Sequence, residues 1–211
     1  MSSSLTAAPS DVQGSDARFN TIPSLDGAPP LVTVRHLTKT YRGRPALCDL
    51  SLSLPAGRIV GLMGANGCGK TTLLKILAGV LADYEGQVRI AGHAPGPLSK
   101  ALVSFLPDAD FLATSLTPPR AIAQFSRLFA DFDAAKARRL VDFFALPAER
   151  SIKEMSKGMG EKLRIALMMS RRARVYLLDE PISGVDPAAR EIILDGVLRD
   201  FESDSLMLIS T

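Results

Sequence analysis

Cysteine is scarce in this chain: Cys48 and Cys68 are the only two in 211 residues. Two thiols make no disulfide framework, so a stapled secreted scaffold is excluded and reduced thiols are expected. Histidine is as rare. His36 and His93 stand far apart, with no cysteine at metal-site spacing, which argues against a zinc centre. A large charge of one sign is also lacking, and a net charge of +3 is too small to hold nucleic acid by bulk electrostatics. No stretch reaches the ~18 uninterrupted apolar residues of a membrane helix, so the chain itself is not expected to cross a bilayer. The first residues lack the basic start and apolar core of a secretory signal. Residues 1–30 are rich in Ser, Pro, Ala and Gly without a sustained apolar period, and read as a disordered tail. Arg18 is the only basic residue there, which also disfavours a transit peptide.

What is present is a globular profile, 46% apolar and 22% charged. A chain of this size can bury about 70% of its unfolded surface. "LVTVRHL" reads as a strand, and "DLSLSLP" alternates Leu50, Leu52 and Leu54 with serines as a half-buried antiparallel strand does. "RIVGLM" is a short buried strand, followed by a Gly-rich turn and a helical pattern from Lys70 to Leu81. "GQVRIAG" is a further strand. Helical patterns then span Pro118 to Phe132 and Ala134 to Phe144, and a third runs from the "SKGMGEK" segment to about Arg172. "VYLLDE", a helix over Pro187 to Asp200 and the apolar run "LMLI" complete the pattern. Strand–helix alternation predicts an α/β fold with a mostly parallel sheet. The successive helices predict a helical insertion over about residues 110–165, and the early alternating strands an antiparallel β part.

Gly64, Ala65, Asn66, Gly67, Cys68, Gly69, Lys70 and Thr71 fit the phosphate-binding pattern G-x-x-x-x-G-K-[ST]. Its glycines let successive backbone N–H groups point into one concavity, and the following helix adds its N-terminal dipole. Lys70 supplies a mobile positive charge for the β- and γ-phosphates, and the Thr71 hydroxyl is a candidate Mg²⁺ ligand, with Thr72 beside it. A Gly-rich turn can arise by chance, but this one follows a buried strand and opens a helix, the context the motif requires. Cys68 reads as an inert small residue of this loop rather than a redox switch. In "VYLLDEP" an apolar strand runs into Asp179 and Glu180, at the end of a parallel strand where ligands bind. Asp179 is suited to hold Mg²⁺ through water, and Glu180 to polarise a water attacking a γ-phosphate. Carboxylates that merely cap the next helix are the alternative.

The order of these motifs, with "SKG" before a helix, "LLDEP" and "SGVD", resembles the nucleotide-binding subunits of ABC transporters over roughly residues 31–211. "LPD" at 106–108, "FADFD" at 129–133 and "SKGM" further resemble a bacterial exporter-type subgroup paired with separate membrane permeases. The resemblance implies a P-loop NTPase fold and MgATP sandwiched head to tail between two such subunits, as a homo- or heterodimer. It also implies a membrane permease as partner, no nucleic acid, and a place at the cytoplasmic face of the membrane. Ser156 and Gly158 match the signature that meets the partner's γ-phosphate, with Lys157 and Met159 replacing a usual glycine and glutamine. Asp186 matches the loop that communicates across the dimer, and Tyr41 the aromatic that stacks on adenine. Asp108 stands where the family carries a Mg²⁺-contacting glutamine, so a catalytic and metal-binding part is carried over to a carboxylate. The family's γ-phosphate-contacting histidine would follow Thr211 directly, so the C-terminus is expected to be incomplete and turnover low. Met168 and Met169 are expected in the core, and Arg171, Arg172 and Arg174 at a solvated helix end. The rival readings are a soluble ABC ATPase acting on DNA or ribosomes, a non-catalytic regulatory subunit and a small-molecule kinase. The first normally has fused cassettes or coiled coils, intact Lys70 and Glu180 oppose the second, and the third has no use for "SKGMGEK".

Overall fold

In a computed structural model of the chain, residues 29–211 are described. The tail expected over residues 1–30 thus lies almost wholly outside the described residues. Strands β1 (Val32–Tyr41) and β2 (Arg44–Leu54) form an antiparallel hairpin. Its two-residue turn places Arg42 and Gly43 at φ 46° and 80°, the left-handed pair that matches strand twist. β3 (Arg58–Leu62) leads through the Gly-rich loop into helix α1 (Lys70–Leu77), and β4 (Glu85–Ile90) returns to pair antiparallel with β1. The remaining elements are α2 (Pro97–Ala101), β5 (Val103–Leu106), α3 (Pro118–Leu128), α4 (Ala134–Phe143), α5 (Lys157–Met169), β6 (Val175–Leu178), α6 (Pro187–Arg199) and β7 (Leu206–Ser210).

Two sheets result: a three-stranded antiparallel one, β2-β1-β4, and a four-stranded parallel one, β3-β7-β6-β5. The apolar run at the end of the chain lies between β3 and β6, which explains why Leu206, Met207 and Leu208 are fully buried. Alternate residues of β6 and β7 feed two cores. Val175, Leu177, Leu206 and Leu208 face α1 and the antiparallel sheet, packing with Leu73, Leu74 and Leu77. Tyr176, Leu178 and Met207 face the helical side, with Phe125, Leu140, Leu163 and Ile193. Both faces are covered, so these strands show continuous apolar runs rather than alternation.

Helix α1 stops at Leu77, short of the expected Leu81. Gly79, at φ 68°, lets its own N–H reach Ile76 O and the Val80 N–H reach Lys75 O, the paired bonds of a glycine-terminated helix end. The short strand β5 and helix α2 were not expected at all. "VSFL" is only four residues, too short to show a period.

Arg171 corrects an expectation. Helix α5 ends before it, and its side chain is buried at 6% exposure instead of capping a solvated helix end. Its guanidinium donates to both Asp131 carboxylate oxygens at 3.0–3.2 Å and to Val103 O at 2.7 Å, and it lies 4.3 Å from the Phe129 ring centroid. It thereby clips the α3–α4 connection to the sheet edge. Tyr176 donates its hydroxyl to Arg171 O, and burial pushes that phenol up to about 12. Met168 and Met169 are core residues as expected. The clip yields a prediction: Arg171→Met leaves Asp131 and Val103 O without their partner and destabilises the fold by about 3 kcal/mol. Urea unfolding of the two proteins side by side measures it, and an unchanged midpoint would contradict the clip.

Candidate functional site

All four parallel strands end on the same side, and β3, β6 and β7 each deliver part of one cluster there. After β3, the backbone curls through Gly67 and Gly69 at φ 84° and 100°. Only glycine fits the second position: a Cβ there would lie 2.3 Å from Ala46 O, in addition to the unfavourable φ. The curl brings the first turn of α1 against the loop. Lys70 Nζ donates to Gly64 O at 2.6 Å and lies 3.4 Å from Ala65 O. An ammonium has three donors, so it retains capacity for a phosphate oxygen. The Cys68 side chain folds back over Gly64, where a Cβ would meet its Sγ at 2.6 Å, and its N–H closes a turn onto Ala65 O.

At the end of β6 the chemistry concentrates. Asp179 is 1% exposed, and its Oδ1 accepts from Thr71 Oγ1 at 3.0 Å and Ser210 Oγ at 2.9 Å. Its Oδ2 is buried without a partner, the one such side-chain atom among the described residues. A carboxylate oxygen left bare at this depth costs free energy unless something meets it. A carboxylate and a hydroxyl are hard oxygen donors, the kind that suits Mg²⁺. The hydroxyl of Thr71 donates to Asp179 and keeps lone pairs for a cation, so the residues fit that ion. Glu180 follows with its backbone at φ 49°, a left-handed conformation rare for a long side chain.

A concavity of about 280 Å³ is lined by Tyr41, Ala46, Asn66, Gly67, Gly69, Lys70, Thr71, Thr72 and Glu180. The fold thus brings the predicted loop, Tyr41 and Glu180 to one place. Tyr41 is 44% exposed, and Lys39 Nζ lies 4.8 Å from its ring centroid while paired with Asp83 at 2.7 Å.

Asp108 and Ser156 are placed elsewhere. They line a neighbouring cleft of about 370 Å³ with Lys157, Glu161, Arg164 and Ser183, and only Glu180 is common to both spaces. Arg164 holds this cleft together, donating to Asp110 at 2.9 Å and to Glu161. Burial raises the Glu161 carboxyl above the ordinary value, opposed by the Arg164 charge. Ser156 is the N-cap of α5, accepting from the Met159 N–H at 3.2 Å, and Asp186 is the N-cap of α6, accepting from the Ala189 N–H at 3.0 Å. The two helix starts adjoin: a Cβ on Gly158 would come 3.7 Å from Val185 and Ala189 and 3.8 Å from Asp186 Oδ2.

Ser210 was missed by sequence reasoning. Its signal was a lone hydroxyl closing a buried apolar strand, visible only once β7 is known to lie beside β6. The nearness of the α5 start at Gly158 to the α6 start was equally out of reach, since the two lie far apart in sequence.

Comparison with known proteins agrees with this geometry. The family pattern described as ABC transporter matches residues 47–183. The chain is 28% identical over 184 residues to the ABC transporter ATP-binding protein YtrB of Bacillus subtilis (strain 168), covering 86% of this chain and 63% of that protein. It is 31% identical over 194 residues to the Nod factor export ATP-binding protein I of Ralstonia nicotianae, covering 88% of this chain and 60% of that one. The chain therefore spans less than two thirds of the length of these relatives. Among solved structures, the ATP-binding subunit of an ABC transporter superposes with a TM-score of 0.74 at 25% identity, covering 86% of this chain and 79% of that one. An ATP-binding protein from Pyrococcus furiosus shares the fold, with a TM-score of 0.74 at 22% identity and coverage of 85% and 90%. Among the described residues, no helix is long and apolar enough to cross a membrane. With a Gly-rich loop, two carboxylates at the end of β6 and a family pattern that spans both, the chain belongs to the ABC transporter family, of which it carries the ATP-binding domain.

Proposed function

We propose that this chain binds and hydrolyses MgATP as the motor subunit of an ABC transporter, closing as a homo- or heterodimer that drives a separate membrane permease. The observation that carries this reading is Asp179, with one oxygen held by Thr71 and Ser210 and the other bare, beside a Gly-rich loop and Lys70. In the reading, backbone N–H groups of Gly67, Gly69 and Lys70 receive phosphate oxygens, and the Lys70 ammonium neutralises charge on the β- and γ-phosphates. Thr71 and Asp179 would hold Mg²⁺, whose charge would offset that of the phosphates. Tyr41 stacks on adenine, with Lys39 bracing its edge of the site. Glu180 orients and polarises the attacking water.

Ser156 and Gly158 of one subunit face the γ-phosphate of the other, and Asp186 carries the contact between the two sites. The closeness of Gly158 to Asp186 supports treating these helix starts as one moving surface. ATP favours the closed dimer by binding it more tightly, which is how nucleotide shifts a permease between states. Asp108 lines the second cleft together with Glu180, and its proposed contribution, to catalysis and to metal binding, is made from that cleft. The protein would sit at the cytoplasmic face of the membrane through its permease. No step requires nucleic acid.

Glu180→Gln is expected to preserve ATP binding while lowering turnover roughly 10²–10³-fold and stabilising an ATP-dependent dimer. Size-exclusion chromatography with light scattering, run with MgATP, reads the dimer directly. Unchanged turnover would exclude Glu180 from the chemistry. Tyr41→Ala is expected to weaken ATP binding by roughly five- to hundredfold and Tyr41→Phe to preserve it, as loss of one stacking partner predicts. Equal affinities for the Ala variant and the parent, in a fluorescence titration, would remove Tyr41 from the site.

A further inference from the structure

Ser210 is completely buried, and among the described residues its side chain alone hydrogen-bonds to both carboxylate-bearing positions at the end of β6. Its hydroxyl donates to Asp179 Oδ1 at 2.9 Å and accepts from the Glu180 N–H at 2.8 Å. The placement follows from register. Ser210 pairs with Leu62 on β3, and Ile209 with Leu178 on β6, so the next step along β7 sets the hydroxyl beside Asp179. Nothing apolar in this position could satisfy both groups.

We infer that Ser210 is a positioning residue that fixes which oxygen of Asp179 is presented to the metal and holds Glu180 in its left-handed backbone conformation. The inference rests on the reading of Asp179 as the metal-holding carboxylate. Oδ1 accepts two hydroxyl donors, one from α1 and one from β7, and so has little capacity left for a cation. Oδ2 is left with full acceptor strength. A carboxylate rotates about its terminal torsion over a broad range unless neighbours hold it. Two donors from separate elements, α1 and β7, hold it against rotation in a way that Thr71 alone does not. At Glu180, φ 49° is a strained choice that surrounding structure must sustain. The hydrogen bond from its N–H to Ser210 Oγ supplies that support, and Ser183 N–H to Glu180 O at 3.1 Å closes the turn behind it. One hydroxyl thereby sets the direction of both acidic groups.

The test uses the full 211-residue chain and needs no turnover. A fluorescent ATP derivative is titrated in EDTA and again in excess Mg²⁺, and the ratio of the two dissociation constants gives the Mg²⁺-dependent gain. Asp179→Asn tests the underlying reading and is expected to abolish the gain. Ser210→Ala is expected to cut the gain roughly tenfold or more, as loss of a hydrogen bond to a charged group does, while affinity in EDTA stays within about twofold. Ser210→Thr keeps the hydroxyl and is expected to keep the gain. Ser104→Ala, at an equally buried serine bonded to Met168 O, is expected to change nothing. If Ser210→Ala does not fold, Ser210→Cys, close in size and a weak hydrogen-bonding group, decides the same question and is expected to lose the gain. A full gain in Ser210→Ala or Ser210→Cys beside a lost gain in Asp179→Asn overturns the inference and leaves the metal reading standing. A full gain in Asp179→Asn overturns both. Equal losses in EDTA and in Mg²⁺ make Ser210 merely structural, and overturn the inference as well.

Discussion

The hydrogen bonds converging on Asp179 Oδ1 tie together three parts of the chain that are far apart in sequence. Thr71 comes from the first turn of α1, Asp179 from the end of β6 and Ser210 from the end of β7. A carboxylate at 1% exposure is tolerable only because hydroxyls satisfy one of its oxygens. The same arrangement leaves the second oxygen bare, and so places a strong acceptor where phosphates and their counter-ion would meet. The cost of burying a charge and the capacity to bind a cation are two consequences of a single geometry.

The sheet makes that geometry reproducible. β7 lies between β3 and β6, and a slip of one residue would turn Ser210 away from Asp179 while exposing Met207 to the wrong core. Because apolar side chains pack on both faces of these strands, register errors are penalised on both sides at once. At the sheet's edge, β5 is held through Asp179 N–H to Leu106 O and through the Arg171 guanidinium on Val103 O. The second clip also fixes the loop between α3 and α4, so the helical side and the edge strand of the sheet share an anchor.

The candidate residues are divided between two clefts, the division that the proposed work between two subunits would use. The Gly-rich loop, Tyr41 and Glu180 line one space, while Ser156 and Asp108 line the other, with Glu180 at the boundary. Ser156 and Asp186 each satisfy a helix N-terminus in their own chain. Capping and recognition do not conflict, since a cap spends one acceptor of the side chain and leaves the remaining N–H groups of the helix start pointing outward.

Much of this was legible in the residues themselves. The loop from Gly64 to Thr71 and the run into Asp179 and Glu180 are local patterns, because phosphate binding needs consecutive backbone groups and a strand end needs its neighbours in order. The α/β class followed from alternating periods, and the buried nature of β7 from its continuous apolar run. Other features depended on contacts between distant segments. Strand β5 was too short to announce itself, and Arg171 looked like a surface cation until the fold enclosed it with Asp131 and Phe129. Ser210 looked like any serine. The sequence by itself determined which chemical groups the chain carries and the local shape of the loop that presents them. Only the tertiary structure decided which of Asp179's oxygens is free, because that depends on hydroxyls brought from positions 71 and 210 by strand order and register.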